Sequence, residues 1–252
     1  FREKFKIIKI SRKNINLNSI KETKKLKKIV KNGDRIFFAA AKAPVKNFKM
    51  FNYNINICNN IIENLKDKKI KHFTYLSSDA VYKDSKSLLN ENSLLEPSSL
   101  HGLMHLLREK YIKAHINTKI CIIRPTLVFG KEDPHNGYGP NKFIRTARKK
   151  NLIDLFGKGE ELRDHIHIND LATLISKLII KQYDGSLNLV TGKVISFSNI
   201  AQIIKKNINK NININYLKRN GPMPHNGYRA FDNKKLNLLF KNFKFKSFED
   251  II

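Results

Sequence analysis

The chain has 252 residues, of which 41% are hydrophobic, which is enough for one large core or for a core with a smaller lobe. No stretch approaches the roughly 18 apolar residues of a membrane span, and the first residues do not resemble a signal peptide, so no membrane partner is expected. The two cysteines, Cys58 and Cys121, are too few for a disulfide framework, which favours the cytoplasm.

The formal net charge of +28 has two explanations. An anionic partner such as a nucleic acid or a phosphorylated ligand would suit so basic a chain. However, Lys, Asn and Ile dominate together, as in residues 205–215, and these three residues share A/T-rich codons. The chain has no helix-turn-helix, zinc-finger or aromatic RNA-binding signature. Genome composition is therefore the preferred explanation, and no nucleic-acid partner is expected.

Apolar runs alternate with helical patterns along the chain, which predicts a doubly wound α/β fold with a parallel sheet covered on both faces. Ser98 and Ser99 are candidate N-caps for one of the helices. The predicted strands span residues 5–10, 34–41, 72–78, 120–125 and 164–168, and the predicted helices span residues 51–65, 100–115, 168–180 and 197–208.

The composition changes after Gly130, where a stretch rich in Gly, Pro and Asn begins. The string Pro-His-Asn-Gly-Tyr occurs at 134–138 and again at 224–228, which indicates either two loops that serve one ligand or chance repetition in an Asn-rich chain. We predict a sheet domain formed by residues 1–130 and 165–195, and a smaller lobe formed by residues 131–164 and 196–252.

Four short motifs resemble one known family. They are Asn-Ile-Asn at 54–56, Phe-Thr-Tyr-Leu-Ser-Ser-Asp-Ala-Val-Tyr at 73–82, Arg-Pro-Thr-Leu-Val-Phe-Gly at 124–130, and Arg-Asp-His-Ile-His-Ile-Asn-Asp at 163–170. In this order they resemble the extended short-chain dehydrogenases, and among them the NAD-dependent epimerases and dehydratases of nucleotide sugars. The resemblance implies a Rossmann-like fold with a C-terminal substrate lobe, an NAD or NADP cofactor and a nucleotide-sugar substrate. It is weaker evidence for activity than for fold.

The resemblance also implies site residues at the end of one predicted strand. Ser78 matches the position whose hydroxyl orients the reacting sugar oxygen. Asp79 matches an acid that sugar dehydratases use, but its neighbour Ala80 departs from the dehydratase pattern, which favours an epimerase or a reductase. The other matched positions are Ala39, Ala40, Asn54 and Pro125 for the cofactor, and Asn141 for the substrate.

Two arginines match family positions that face the substrate diphosphate. They are Arg163 and Arg229, and a guanidinium suits phosphate oxygens because two of its N–H groups can bond at once. For Arg163 the alternative is a salt bridge with Asp164 or Asp170.

The sequence leaves open whether the protein forms a homodimer.

The family's Gly-x-x-Gly-x-x-Gly loop, which cradles the cofactor pyrophosphate, is absent, and Gly33 is the first glycine of the chain. We therefore expect a chain that lacks the first strand and loop and binds a dinucleotide poorly. Arg12 and Lys13 follow the predicted strand 5–10, where an acidic residue would hold the NAD ribose. They favour the 2′-phosphate of NADP, unless they are solvated surface charges.

The family's Tyr-x-x-x-Lys is replaced here by two histidines. His101 takes the position of the tyrosine and His105 that of the lysine, which supports the nicotinamide ribose. An imidazole titrates near neutral pH, so His101 could act as an acid or base without a lysine. It reaches roughly 2 Å less far than a phenol. Three interpretations stay open, namely an altered acid–base site, a catalytically inactive ligand-binding protein, and a metal-binding pair without a visible third ligand.

Overall fold

The protein, as a computed structural model, is described over residues 5–131 and 137–250. Short 3-10 helices lie at Asp79–Val81 and Pro224–Gly227. In chain order the helices are α1 (Ile20–Thr23), α2 (Leu26–Ile29), α3 (Phe48–Leu65), α4 (Leu100–His115), α5 (Pro140–Lys150), α6 (Ile168–Lys181), α7 (Phe197–Ile208) and α8 (Lys234–Leu239). The strands are β1 (Arg35–Phe38), β2 (His72–Leu76), β3 (Ile120–Pro125), β4 (Leu127–Phe129), β5 (Leu152–Phe156), β6 (Leu162–His167), β7 (Gly185–Leu189), β8 (Val194–Ser196), β9 (Asn213–Leu217) and β10 (Tyr228–Arg229).

The chain forms two compact units whose bounds differ from the predicted domains. The prediction put residues 165–195 with the first sheet, but β6 pairs in parallel with β4 and β10, so its segment belongs to the second unit. The first unit comprises Phe1–Lys83, Leu94–Arg124 and Leu174–Leu187, and the second comprises Asp84–Ser93, Pro125–Thr173 and Asn188–Ile252.

The first unit is built on a sheet with the strand order β1-β2-β3-β7. Both β1 and β3 run parallel to β2, with Phe38 opposite Tyr75 and Leu76 opposite Ile123. The residues of β2 and β3 are nearly all buried, as expected for parallel strands that are covered on both faces. The predicted α/β fold with a parallel sheet is therefore confirmed.

Helix α3 covers this sheet through residues spaced three to four apart. Its buried residues include Ile57, Ile61 and Ile62, which belong to one core with Phe73 and Ile122 of the sheet. Burying an aliphatic side chain of this size stabilises a fold by roughly 1.5–3 kcal/mol. This helical spacing in the sequence is the reason that α3 could be predicted.

Several predicted elements match the structure, and one is wrong. The helices at 100–115 and 197–208 and the strand at 120–125 have the predicted bounds. The predicted strand at 5–10 is wrong, because these residues have no regular secondary structure. An apolar run indicates a strand, but a strand exists only where a neighbour completes the hydrogen-bond ladder.

The second unit has two small sheets and its own core. β6 lies between β4 and β10 in one sheet and also pairs antiparallel with β8, while β5 and β9 pair in parallel in the other. Phe143 of α5, Phe197 and Ile200 of α7, and Leu155 of β5 are buried together. β9 was missed because it lies in an Asn-rich stretch in which no strand was predicted. Throughout residues 5–131 and 137–250, every helix is too short or too polar to span a bilayer.

Candidate functional site

Ser78 lies just after β2 and begins a tight turn. Its Oγ accepts a hydrogen bond from the Ala80 N–H at 3.1 Å, which caps the 3-10 helix Asp79–Val81, and it donates to Asp79 Oδ1 at 3.3 Å. Both Ser78 and Asp79 are half-buried. The carboxyl edge of a parallel sheet is where open α/β folds bind ligands. These two predicted site residues therefore lie at an edge that is suited to a ligand.

Helix α4 begins against this turn because Gly102 has no side chain. A Cβ atom at this position would lie 2.0 Å from the carbonyl oxygen of Ala80, which is far closer than any carbon contact allows. Asp79 is near enough to His101 for its charge to act on the imidazole. The structure thus brings the turn that contains Ser78 and the start of α4 together, which is the arrangement on which the predicted site depends.

His101 and His105 stand one turn apart on α4, and their rings meet edge to face with 4.7 Å between centroids. His101 Nδ1 is buried and has no hydrogen-bond partner in the part of the chain that the structure describes. Burial lowers the pKa of His101, while the Asp79 carboxylate opposes this shift and the Arg108 guanidinium adds to it. The ring is therefore neutral at pH 7 and able to accept a proton.

His105 is almost fully buried and is held by a tyrosine of the neighbouring strand. Its Nδ1 lies 2.7 Å from the hydroxyl of Tyr75 on β2. Burial lowers the pKa of His105 well below its usual range, and the charges of His101 and Arg108 act in the same direction. His105 therefore lacks the positive charge of the family's lysine at neutral pH. Sequence reasoning missed Tyr75, although its alternation with Phe73 marks it as facing the core.

Helix α4 also carries a buried arginine that the sequence analysis missed. Arg108 lies seven residues after the first histidine, on the same helical face, and is 1% exposed. Its guanidinium donates to the carbonyl oxygens of Ala40, at 3.0 Å, and of Asn54. Asn54 in turn bonds the main-chain N–H and carbonyl of Lys42. Arg108 and Asn54 therefore fix the loop after β1, which contains the predicted cofactor residues Ala39 and Ala40.

A buried ion pair joins α4 to β3. Arg124 donates from Nε to Glu109 Oε1 at 3.0 Å and from Nη2 to Oε2 at 2.6 Å, and both side chains are 2% exposed. Ser77 Oγ donates to Glu109 at 2.5 Å, and Arg124 donates to the Tyr82 hydroxyl at 2.9 Å. Paired bonds of this kind fix both distance and orientation. The network therefore anchors the helix that carries the two histidines to the sheet.

The remaining cofactor candidates of the sequence analysis lie apart from the histidines along the chain. Arg12 and Lys13 are exposed in a turn in which the Asn14 N–H donates to the Ser11 carbonyl at 3.0 Å. Exposure suits contact with a phosphate and equally suits solvation, so the preference for NADP stays a prediction. Pro125 ends β3 and is buried.

In the second unit, the predicted diphosphate ligand Arg163 is bound by protein acceptors. It is 4% exposed, and it donates to Glu161 Oε2 at 3.0 Å and to the carbonyl oxygen of Pro224. Glu161 also pairs with Arg219. Glu161, two residues before Arg163 on the chain, is therefore a carboxylate partner of this arginine.

Arg229 has a similar environment, also within the second unit. It is 2% exposed, and its Nη1 donates to Asp84 Oδ1 at 2.9 Å. His225 Nδ1 lies 2.6 Å from the same oxygen, and the backbone of His225 is left-handed, with φ of 53°. Neither Asp84 nor His225 was predicted, although His225 belongs to the repeated Pro-His-Asn-Gly-Tyr string.

The two copies of that string occupy different surroundings where they can be compared. Residues 134–136 lie outside the described residues. Tyr138 packs edge to face on Phe143 and Phe197 in the core of the second unit, whereas Tyr228 belongs to strand β10.

The predicted substrate residue Asn141 accepts a hydrogen bond from the Gly130 N–H at 3.0 Å and so orders the start of α5.

The first unit fits one end of a dinucleotide. The small residues Ala39 and Ala40 follow β1, and Arg108 links the Ala40 carbonyl to the helix that carries His101 with its unpaired nitrogen. The glycine-rich phosphate loop is not among the 252 residues. The residues present therefore suit the nicotinamide end of the cofactor. Within residues 5–131 and 137–250, no three His, Cys, Asp or Glu side chains are grouped as a metal site would require.

The fold and these strand-end residues define a Rossmann-like α/β protein. The sequence model of the NAD dependent epimerase/dehydratase family matches residues 3–192, which is more than half of the chain, and the protein belongs to this family.

Relatives agree with this membership. A protein of Methanocaldococcus jannaschii that is assigned as a UDP-glucose 4-epimerase is 28% identical over 185 residues, covering 69% of this chain and 60% of the relative. The dTDP-4-dehydro-6-deoxyglucose reductase of Escherichia coli is 23% identical over 215 residues, covering 82% and 67%. The chain thus spans 60% of the length of the first of these relatives, which is less than two thirds.

Solved structures share the fold. UDP-N-acetylglucosamine 4-epimerase from Methanobrevibacter ruminantium, in complex with UDP-N-acetylmuramic acid, has a TM-score of 0.78 at 24% identity, covering 89% of this chain and 77% of that one. UDP-glucose 4-epimerase from Thermus thermophilus, in complex with NAD, has a TM-score of 0.80 at 17% identity, covering 94% and 80%.

Proposed function

We propose that this protein acts on a nucleotide-linked sugar as an NAD(P)-dependent epimerase or reductase in which His101 moves the proton. The observation that carries the proposal is the contact of the Ser78 turn with the start of α4, which Gly102 permits. In this proposal the Ser78 hydroxyl orients the reacting sugar hydroxyl. His101 accepts its proton, because burial keeps the imidazole neutral at pH 7.

The cofactor and the compartment form a second part of the proposal. A bound dinucleotide would supply hydride transfer, and Ala39, Ala40 and His105 would lie at its nicotinamide end. Within this proposal NADP is preferred over NAD, because the positive charges of Arg12 and Lys13 suit a 2′-phosphate. We propose the cytoplasm as the compartment because both cysteines are free thiols.

Arg163, Arg229 and Asn141 are the proposed substrate contacts. The support is that relatives named above act on UDP- or dTDP-sugars, whose diphosphates suit guanidinium groups. The pairing of the two arginines with Glu161 and Asp84 sets a condition on this proposal. An incoming diphosphate has to compete with these carboxylates or to bind beside them.

The alternative is a ligand-binding protein without turnover. The observation that favours it is the neutral His105, which cannot supply the charge that the family's lysine places beside the cofactor. Binding without catalysis would then survive the loss of His101. The variant His101→Ala, which tests the main proposal, therefore also tests this alternative.

The test of function is turnover of pooled UDP- and dTDP-sugars by protein expressed from the complete reading frame, with NAD or NADP, followed by mass spectrometry and NMR. General acid–base catalysis contributes about 10²–10⁴-fold, so His101→Ala is expected to lower kcat by that factor. The matched control is His115→Ala, which removes an exposed histidine from the same helix. Turnover that is equal in both variants would exclude His101 as the acid–base group.

We also propose a homodimer that uses α4. Leu100, Leu103 and Leu107 are 38%, 45% and 44% exposed, and their spacing places them along one stripe of that helix. Sedimentation of the protein should give twice the chain mass, and Leu103→Lys should give the monomer. Sedimentation as a monomer before any substitution would refute this.

A further inference from the structure

We propose that Tyr75 is a positioning residue that fixes His105 in one neutral tautomer, with its single ring proton on Nε2. The proposal rests on the proposed function for its catalytic meaning. The tautomer itself is a property of the free protein and can be measured without cofactor, substrate or turnover.

The geometry holds both partners in place. The Tyr75 hydroxyl is 2.7 Å from His105 Nδ1, and Tyr75 is 1% exposed. The tyrosine ring packs on Phe38 of β1, with 5.2 Å between centroids, and Phe73 is its neighbour in the same core. His105 is confined on its other side by the ring of His101. Neither side chain can therefore turn away from the hydrogen bond without disturbing the core.

The direction of this hydrogen bond follows from the acceptors that the tyrosine hydroxyl can reach. Burial raises the pKa of Tyr75, so its hydroxyl stays protonated, and the charge of Arg108 opposes that rise. Among the described residues, His105 Nδ1 is the hydrogen-bond partner of this buried hydroxyl, whereas the Arg108 guanidinium donates to the Asn54 and Ala40 carbonyls and has no acceptor. If Nδ1 donated instead, the buried tyrosine proton would be left without an acceptor, which costs free energy. An Nδ1 that accepts carries no proton, so the proton of the neutral ring is on Nε2.

This arrangement changes what the lysine position can do. His105 offers one neutral N–H donor from Nε2, where the family has an ammonium group with three donors. The fixed positive charge beside the histidine pair belongs instead to Arg108, which is held by the Ala40 and Asn54 carbonyls. Arg108 is one turn further along the same helical face. The charge and the hydrogen-bond donor that lysine combines are therefore separated onto two residues.

The experiment is ¹⁵N NMR of the histidine-labelled 252-residue protein at neutral pH, with His105→Asn used to assign the resonances among its eight histidines. In the unmodified protein, His105 Nδ1 should resonate as an unprotonated nitrogen and Nε2 as a protonated one. Tyr75→Phe should shift both resonances toward the average of the two tautomers. The control is Tyr82→Phe, which removes another buried hydroxyl, bonded to Arg124, and should leave His105 unchanged.

A protonated Nδ1 in the unmodified protein would overturn the proposal, and so would a Tyr75→Phe spectrum identical to the original. If Tyr75→Phe does not fold, the spectrum of the unmodified protein still decides. A correct tautomer in a protein without turnover would refute the proposed function alone, while a wrong tautomer with normal turnover would refute only this inference.

Discussion

In the first unit Glu109 pairs with Arg124, whereas in the second unit Glu161 is shared by Arg163 and Arg219. Arg163 also donates to the Pro224 and Leu162 carbonyls, so it keeps acceptors if Glu161 is lost. Among the residues that the structure describes, the Tyr82 hydroxyl is the only acceptor that Arg124 has beyond its carboxylate. Burial alone therefore does not set the importance of an ion pair, because the remaining acceptors decide the cost of breaking it.

The two units also each contain a buried histidine with an unpaired ring nitrogen, and the surroundings of these two nitrogens differ. His101 has an unpaired Nδ1 beside a turn that carries a hydroxyl and a carboxylate. His165 has an unpaired Nε2 within the described part of the second unit, but it packs edge to face on Phe197 and Phe248 in an apolar core. An unpaired imidazole nitrogen thus indicates a site only where polar groups stand beside it.

The largest loss of unfolding free energy is expected when the ion pair of the first unit is broken. Glu109→Ala leaves Arg124 as an uncompensated buried charge, and such a loss costs about 3–5 kcal/mol. Urea unfolding followed by circular dichroism measures the change, since the protein has no tryptophan to report by fluorescence. We expect a lower midpoint, with the loss of structure beginning in the unit that carries the histidines.

The matched variant in the second unit is Glu161→Ala. Arg163 retains carbonyl acceptors, and Arg219, which is partly exposed, still donates to the Phe156 carbonyl. The loss of unfolding free energy in Glu161→Ala should therefore be the smaller of the two. An equal or larger loss would show that the number of remaining acceptors does not distinguish the two ion pairs.

The sequence predicts those parts of the molecule that depend on local pattern. Strand β3 and helices α4 and α7 were predicted with correct bounds because an apolar run or a helical spacing is bounded by a cap or a proline. The strand at 5–10 failed because pairing is not a local property. β9 was missed because its Asn residues are poor strand formers.

The candidate site shows the same limit. Ser78 and His101 were predicted as site residues because they occupy family motifs, but the contact between the Ser78 turn and the start of α4 depends on the approach of Gly102 to Ala80, which spacing alone does not show. Arg108 could have been found from its helical position after the two histidines. The contact between Tyr75 and His105 could not, because it joins a strand to a helix 30 residues later.

A pH titration sharpens the comparison of the two histidines. Burial lowers the pKa of His165 to about 3, while an unfolded histidine titrates near 6.5. The neutral folded form is therefore fully favoured above about pH 6.5, and stability is lost as the pH falls from there toward about 3. Between pH 7.5 and pH 5 the loss from this one group is about 2 kcal/mol.

The measurement compares the unmodified protein with His165→Phe in urea at these two pH values. The phenyl ring suits the aromatic surroundings and cannot titrate, so the variant should lose about 2 kcal/mol less over the same interval. His115→Phe is the control, because His115 is exposed. Equal losses in all three proteins would mean that the buried ring of His165 is not what destabilises the second unit in acid.

The smallest expected effect distinguishes two neighbouring serines at the start of α4. Sequence reasoning left Ser98 and Ser99 both open as caps, and in the structure Ser99 Oγ accepts the Gly102 N–H at 3.1 Å. Ser99→Ala should cost about 1 kcal/mol of unfolding free energy, and Ser98→Ala should cost almost nothing. Gly102 is also the residue that contacts the Ser78 turn, so a loosened cap should lower turnover as well as stability. A stability loss without any change in turnover would show that the first turn of α4 can loosen while the placement of His101 is kept.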